Sequence, residues 1–117
     1  MIASGSGRPR IPQPPETVSA LRQAVAQVAP ASLPAFTREL DKAADLARHG
    51  SDLSPLRRFT AQWAIFVQIN RDPGTARRFR ELEDLAESGD ATQARHAAAE
   101  LGRMLDDARA SVAGNQS

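Results

Sequence analysis

The sequence predicts an all-α protein, a single five-helix, bundle-like domain with a disordered N-terminal tail. Three observations lead there. Of the 117 residues 22 are alanine, which has the best intrinsic helix propensity and lets helices approach closely. Apolar side chains recur with a 3.6-residue period, and no segment shows the two-residue alternation of a strand. Between the periodic segments stand helix stops and starts, a glycine or proline behind one helix and a capping side chain in front of the next. A chain of this length holds one domain rather than two. Leu, Ile, Val and Phe together number only 23, so the expected core is modest and anchored by few large side chains.

Residues 55–71 organise the rest, because they carry the only tryptophan and two of the four phenylalanines. Leu56, Phe59, Trp63, Phe66 and Val67 form one stripe of a central helix, and Ile65 and Ile69 form a second on roughly the opposite side. Such a helix needs cover on two sides. The other elements are read in chain order as that cover.

Residues 1–15 contain four prolines and two glycines without an apolar period, which predicts a mobile tail. The domain is expected over 16–113, with a frayed end at 114–117. Helix one spans Glu16 to Ala29, capped by Thr17, with Val18, Leu21, Val25 and Val28 on its inner face and Pro30 as its stop. Helix two begins at an N-cap on Ser32, tolerates Pro34 in its first turn, buries Leu33, Phe36, Leu40, Ala43 and Ala47, and stops at Gly50. Ser54 and Pro55 repeat the cap-then-proline device to open the central helix. Asp72-Pro73 closes it, since a residue before proline is driven out of the helical region, and Asp72 caps helix four over Pro73–Ser88. Phe79, Leu82, Leu85 and Ala86 share a side of that helix, and Gly89 ends it. Asp90 followed three residues later by Gln93 resembles a capping box. It opens helix five, whose inner face is Ala94, Ala97, Leu101, Met104, Leu105, Ala108 and Val112. Helices four and five are expected to form an antiparallel hairpin.

Composition excludes several classes of function. With no cysteine there is neither a disulfide framework nor a thiolate metal site. The longest apolar run, Trp63 to Val67, falls far short of the roughly 18 residues of a membrane span, and the start of the chain lacks a signal-peptide apolar region. A cytoplasmic protein is the resulting expectation. His49 and His96 stand far apart and outside any metal-ligand pattern. His49, beside Gly50, reads as a helix finisher, and His96 with Glu100 as an exposed i, i+4 pair. The acidic pairs Glu83-Asp84 and Asp106-Asp107 point in different directions on a helix, and neither a phosphate loop nor a nucleophile elbow is present. The reading is therefore of a protein that is not an enzyme, with no catalytic residue, no cofactor and no metal.

Charge is unevenly placed along the chain. Between Leu56 and Arg80 six arginines face one acid, and from Glu81 to Asp90 the balance reverses to five acids. Within helix four the arginines sit at the N-terminal end, the unfavourable end for cations in the helix macrodipole. A partner helix explains this if helix five brings Asp106 and Asp107 to Arg77 and Arg78, and Arg95 to Glu83 and Glu87. Such exposed pairs contribute about 0 to 1 kcal/mol each but can fix register.

The succession Ala29-Pro30-Ala31-Ser32-Leu33-Pro34-Ala35-Phe36, Glu39-Leu40, Leu53-Ser54-Pro55-Leu56, Trp63 and Arg71-Asp72-Pro73 resembles a family of small uncharacterised actinobacterial helical proteins, a domain of unknown function. The likeness spans about residues 16–88. Its shared positions are helix punctuation and core, and the proline-rich tail and Gly74-Thr75 depart from the pattern. The resemblance implies a cytoplasmic location and a role as the small partner of another protein, antitoxin-like roles included.

The functional expectation is a protein-protein interaction module, acting on a partner protein or by self-association, with no membrane role. The Ile65 and Ile69 side of the central helix is its expected contact surface, with Arg58 and Arg71 on the rim and Arg77 and Arg78 nearby. The alternative is a nucleic-acid-binding regulator acting through the arginine cluster. That reading requires one basic face with stacking aromatics, whereas the aromatics here fall on the buried stripe.

Overall fold

The computed structural model describes residues 10–116, with side chains to residue 114. Five α-helices follow one another: α1 (Val18–Val28), α2 (Leu33–Gly50), α3 (Ser54–Asn70), α4 (Pro73–Ser88) and α5 (Ala91–Gln116), with a short 3-10 turn at Pro30–Ser32 before α2. No strand occurs among the described residues. The all-α, five-helix expectation holds, and the central helix is central in space as well. α3 is the helix that packs against all four others.

The helix boundaries show which local signals act as read. Thr17, extended at φ −117°, accepts the Ala20 N–H through Oγ1 at 3.2 Å, and Asp72, extended at φ −111°, accepts the Gly74 N–H through Oδ1 at 3.2 Å. Asp90 and Gln93 form the reciprocal capping box, Asp90 N–H to Gln93 Oε1 at 3.0 Å and Gln93 N–H to Asp90 Oδ1 at 2.8 Å. The two serine caps differ from expectation. Ser32 makes no side-chain capping bond, because its own backbone already lies in the helical region and cannot aim the hydroxyl forward. Ser54 is itself the first residue of α3, and the acceptor is Asp52, whose Oδ1 takes both the Ser54 N–H at 3.0 Å and its hydroxyl at 2.9 Å. Those bonds hold the Asp52 carboxyl below its ordinary range.

The stop of α2 is displaced by one residue. Gly50 is still helical, and the left-handed conformation falls on Ser51 at φ 52°. α5 runs through Gly114 to Gln116.

The core assembles around Trp63 and Phe36. Phe36 is fully buried and meets Phe59 and Trp63 edge-on, at ring-centre distances of 5.0 and 5.1 Å, an arrangement worth about 0.5–1.5 kcal/mol per pair beyond area burial. Trp63 also leans on Phe66 at 4.8 Å. Leu21 and Val25 from α1, Val67 from α3 and Val112 from α5 complete the cluster. At the α4–α5 end, Leu82 and the small side chains Ala76 and Ala97 are buried. This is how an alanine-rich chain packs helices with few large residues.

Residues 10–15 belong to the segment expected as a mobile tail, yet they are tied to the helices. The Ile11 N–H donates to the Arg71 carbonyl at 3.2 Å, and Arg71 Nε donates back to the Ile11 carbonyl at 2.9 Å. Gln13 Nε2 donates to the Ala64 carbonyl at 3.2 Å, and Ile11 packs against the core cluster. Contacts with the helices thus begin before Glu16. The remainder of the expected tail, residues 1–9, lies outside the described residues.

A candidate interaction groove on the central helix

One face of α3 is open. Gln62, Ile65, Phe66 and Ile69, at i, i+3, i+4 and i+7, form the floor of a groove with a volume of about 590 Å³. Opposite, Ala76, Phe79, Arg80 and Glu83 repeat the same spacing on α4 and make one wall. Val28, Ala31 and Ser32, where α1 gives way to α2, contribute to the lining from the other end, and Leu105 of α5 joins it. Ile65, Phe66 and Phe79 are half-buried, whereas Ile69 is only 5 % exposed. The second stripe of the central helix therefore divides: Ile69 serves the interior, and Ile65 remains partly open to solvent.

The charges at this groove are unmatched. Arg80 and Glu83 are neighbours at i, i+3 on α4, yet among the described residues neither makes an ion pair. One turn away, Arg78 and Glu81 do meet, at 3.5 Å. The groove thus presents an apolar floor flanked by Arg80 and Glu83, a cation and an anion outside any ion pair among the described residues.

Of the residues selected from sequence, the groove brings together Ile65 and Ile69 alone. Arg58 lies in a separate hollow between α2 and α3, beside Glu39 and Lys42. Arg71 holds the N-terminal segment, as described above. Arg77 is exposed. Arg78 grips Glu100 and not Asp106 or Asp107; Asp106 instead accepts from Arg109 at 3.0 Å on its own helix. Arg95 makes no ion pair with Glu83 or Glu87 among the described residues. The tight Gly89-Asp90 turn explains the register. Arg78 and Glu100 stand at equal distances in sequence on either side of Gly89, so an antiparallel hairpin folded there places them level. The arginines that form one cluster in sequence are consequently divided among several surfaces.

Phe66, Phe79, Arg80 and Glu83 were not selected. The 62, 65, 66, 69 spacing on α3 and its counterpart on α4 were present as signals. Periodicity identifies a face but does not tell whether a neighbouring helix covers it.

The histidines are unremarkable ligands. His49 Nδ1 lies 2.7 Å from the Asp45 carbonyl, a bond that finishes α2, and Glu100 is engaged by Arg78 rather than by His96. No group of three or more His, Asp or Glu suited to a metal ion occurs among the described residues. Nor is any helix among them long and apolar enough to cross a membrane.

Fold and groove together define a small all-α domain with an apolar cleft along its central helix. The chain belongs to the Family of unknown function (DUF6247), whose model matches residues 8–114. That span takes in the tethered residues 10–15 as well as all five helices through most of α5. No curated protein and no solved structure matches the chain.

Proposed function

We propose that the protein is a protein-protein interaction module that receives the apolar face of an amphipathic helix from a partner protein in the α3–α4 groove. The observation that carries this reading is the half-open floor formed by Ile65 and Phe66 beside Phe79, which lie together along one groove between α3 and α4. Helix-in-groove recognition uses such a surface, with anchors at i, i+3, i+4 and i+7 on the incoming helix. The rim specifies the chemistry of the partner. Arg80 calls for an acid and Glu83 for a base, about one helical turn apart on the incoming segment. An antitoxin-like pairing, in which this small domain covers a helix of a larger cytoplasmic protein, is one form of this reading.

Reversing the rim by Arg80→Glu and Glu83→Arg changes no buried group and tests the reading. Wild type and variant are used to capture partners from native extract, and the captured protein is mapped by hydrogen exchange. The expected result is a protein retained by the wild type, lost by the reversed rim, and protecting the amides of α3 and α4 around Ile65 and Phe79. Retention by both forms, or protection on another face, would overturn the proposal. A wild type that captures nothing above background would do so equally.

A further inference from the structure

The hollow between α2 and α3 that holds Arg58 has a volume of about 410 Å³. Ala43 and Leu46 of α2, with Pro55 and Phe59 of α3, supply its apolar lining. An apolar cavity of about 150 Å³ already takes a benzene ring, so this one has room for an aliphatic side chain. Lys42 and Arg58 place two cations on the same lining, and the one carboxylate there, Glu39, already accepts from the Trp63 indole.

A side chain of the matching kind stands beside the hollow. Leu53, immediately ahead of α3, is 60 % exposed, and Leu46, part of the lining, is 53 % exposed. A lone exposed leucine is ordinary on a protein surface. These two, however, are the most exposed large apolar side chains among the described residues, and the short connection from α2 to α3 gathers them at one corner. The charge at that corner is ordered as well. Asp52 adjoins Leu53, and the Ser54 N–H and hydroxyl both bind its Oδ1, which leaves Oδ2 for an incoming cation. A projecting leucine with an acid beside it thus shares a face with an apolar recess that carries two bases. In a two-fold pair each element meets its complement on the same patch of the other chain, and this face holds both halves of such a contact.

We infer that the α2–α3 corner is a homodimer interface, in which Leu53 of each copy seats in the hollow of the other and Asp52 meets Lys42 on its lining. The hollow and the α3–α4 groove share only Gln62, so this contact is separate from the partner site proposed above.

The test is sedimentation equilibrium of the full chain, with amide spectra of the isotope-labelled protein recorded over the same dilution series. An interface confined to one corner is small, so a weak dimer is expected, half-formed at about 100 μM, with concentration-dependent shifts at Ala43, Leu46 and Phe59 and not at Phe79 or Arg80. Leu53→Asp, at an exposed position, should keep the thermal midpoint and weaken association by about tenfold or more. Lys42→Glu, which sets like charges together, should weaken it by about threefold. A chain that stays monomeric up to about 1 mM would overturn the proposal without touching capture of a partner by the groove. Shifts that map to the α3–α4 groove instead, or a folded Leu53→Asp chain that associates like wild type, would also overturn it. Because wild-type dilution alone locates the contact, the test stands even if a Leu53 variant fails to fold.

Discussion

Arg78 and Glu100 join α4 to α5 through two parallel hydrogen bonds, Nε to Oε2 at 3.1 Å and Nη2 to Oε1 at 2.9 Å. This fork accounts for one of the arginines at the unfavourable end of the α4 dipole, because its charge is met by a carboxylate on the neighbouring helix. The bonds from Arg78 hold the Glu100 carboxyl below its ordinary range, and Glu100 in turn raises Arg78. A carboxyl depressed in the folded state stabilises fully above its unfolded value, about 4.3 for glutamate, and that contribution is lost as pH falls through the lower folded value. Glu100→Gln is therefore expected to lower the thermal midpoint at neutral pH and to converge with wild type in acid. Arg78 is exposed and Glu100 only half-buried, so the neutral-pH difference should be small and should shrink with added salt. Midpoints measured from pH 7 down into the acid limb check this, and a gap that persists in acid would refute it.

Trp63 anchors the core and is tethered by Nε1–H donating to Glu39 Oε1 at 3.0 Å. Trp63→Ala removes the ring that touches Phe36, Phe59 and Phe66, at an expected cost of about 3–5 kcal/mol. Glu39→Ala leaves the rings in place and removes only the acceptor, so its cost should be no more than about 1–2 kcal/mol. Chemical denaturation of the two variants gives the comparison. Equal losses would mean that the hydrogen bond, not the aromatic packing, dominates at this position.

Most of the fold was legible because its instructions are local. The Asp90–Gln93 box, the Asp72 cap ahead of Pro73 and the Trp63 stripe each depend on side chains within a few residues of one another, and each forms as read. What escaped depends on pairing across the chain. Ile11 meets the Arg71 carbonyl and guanidinium through its own backbone N–H and carbonyl, groups that carry no sequence signature, so a proline-rich stretch that looks unable to bury anything still gains partners. Of the candidate site, Ile65 and Ile69 were visible as a stripe. Which of them stays open depends on how far α4 and the end of α1 stand from α3, a distance that no periodicity encodes.

The tethered N-terminal segment has a measurable consequence. Truncation to begin at Glu16 removes both Ile11–Arg71 bonds, the Gln13–Ala64 bond and the Ile11 side chain from the core. At about 0.5–1.5 kcal/mol net per hydrogen bond, the loss should reach about 2 kcal/mol and lower the midpoint by several degrees. A truncated chain that melts with the full one would show that these contacts contribute nothing in solution.

Ser51 sits in the left-handed region at φ 52°, where an L residue with a β-carbon is disfavoured by about 1–2 kcal/mol. Ser51→Gly should relieve that strain and raise stability by about 0.5–1 kcal/mol, the gain being reduced by the greater freedom of glycine in the unfolded chain. Equilibrium denaturation reads the sign directly. Destabilisation would mean that the serine hydroxyl compensates for its backbone.

Gly89 and Gly102 should respond in opposite directions to alanine. Gly89 has an ordinary φ of −75°, but a β-carbon there would meet the Leu85 carbonyl oxygen at 2.6 Å and Gln93 Cβ at 2.9 Å. Neither neighbour can yield cheaply, since the carbonyl belongs to the α4 backbone and Gln93 is held in the capping box. Gly89→Ala is expected to open the α4–α5 turn at a cost of about 1–3 kcal/mol, the range for overpacking. Gly102 lies inside α5, and a β-carbon there would meet nothing within 4 Å, so Gly102→Ala should stabilise the helix by about 0.5–1 kcal/mol. Thermal unfolding of both variants beside the wild type decides the matter. A stabilising Gly89→Ala would mean that the turn can reopen without strain, and a destabilising Gly102→Ala would mean that α5 uses the missing side chain for a close contact absent from the isolated chain.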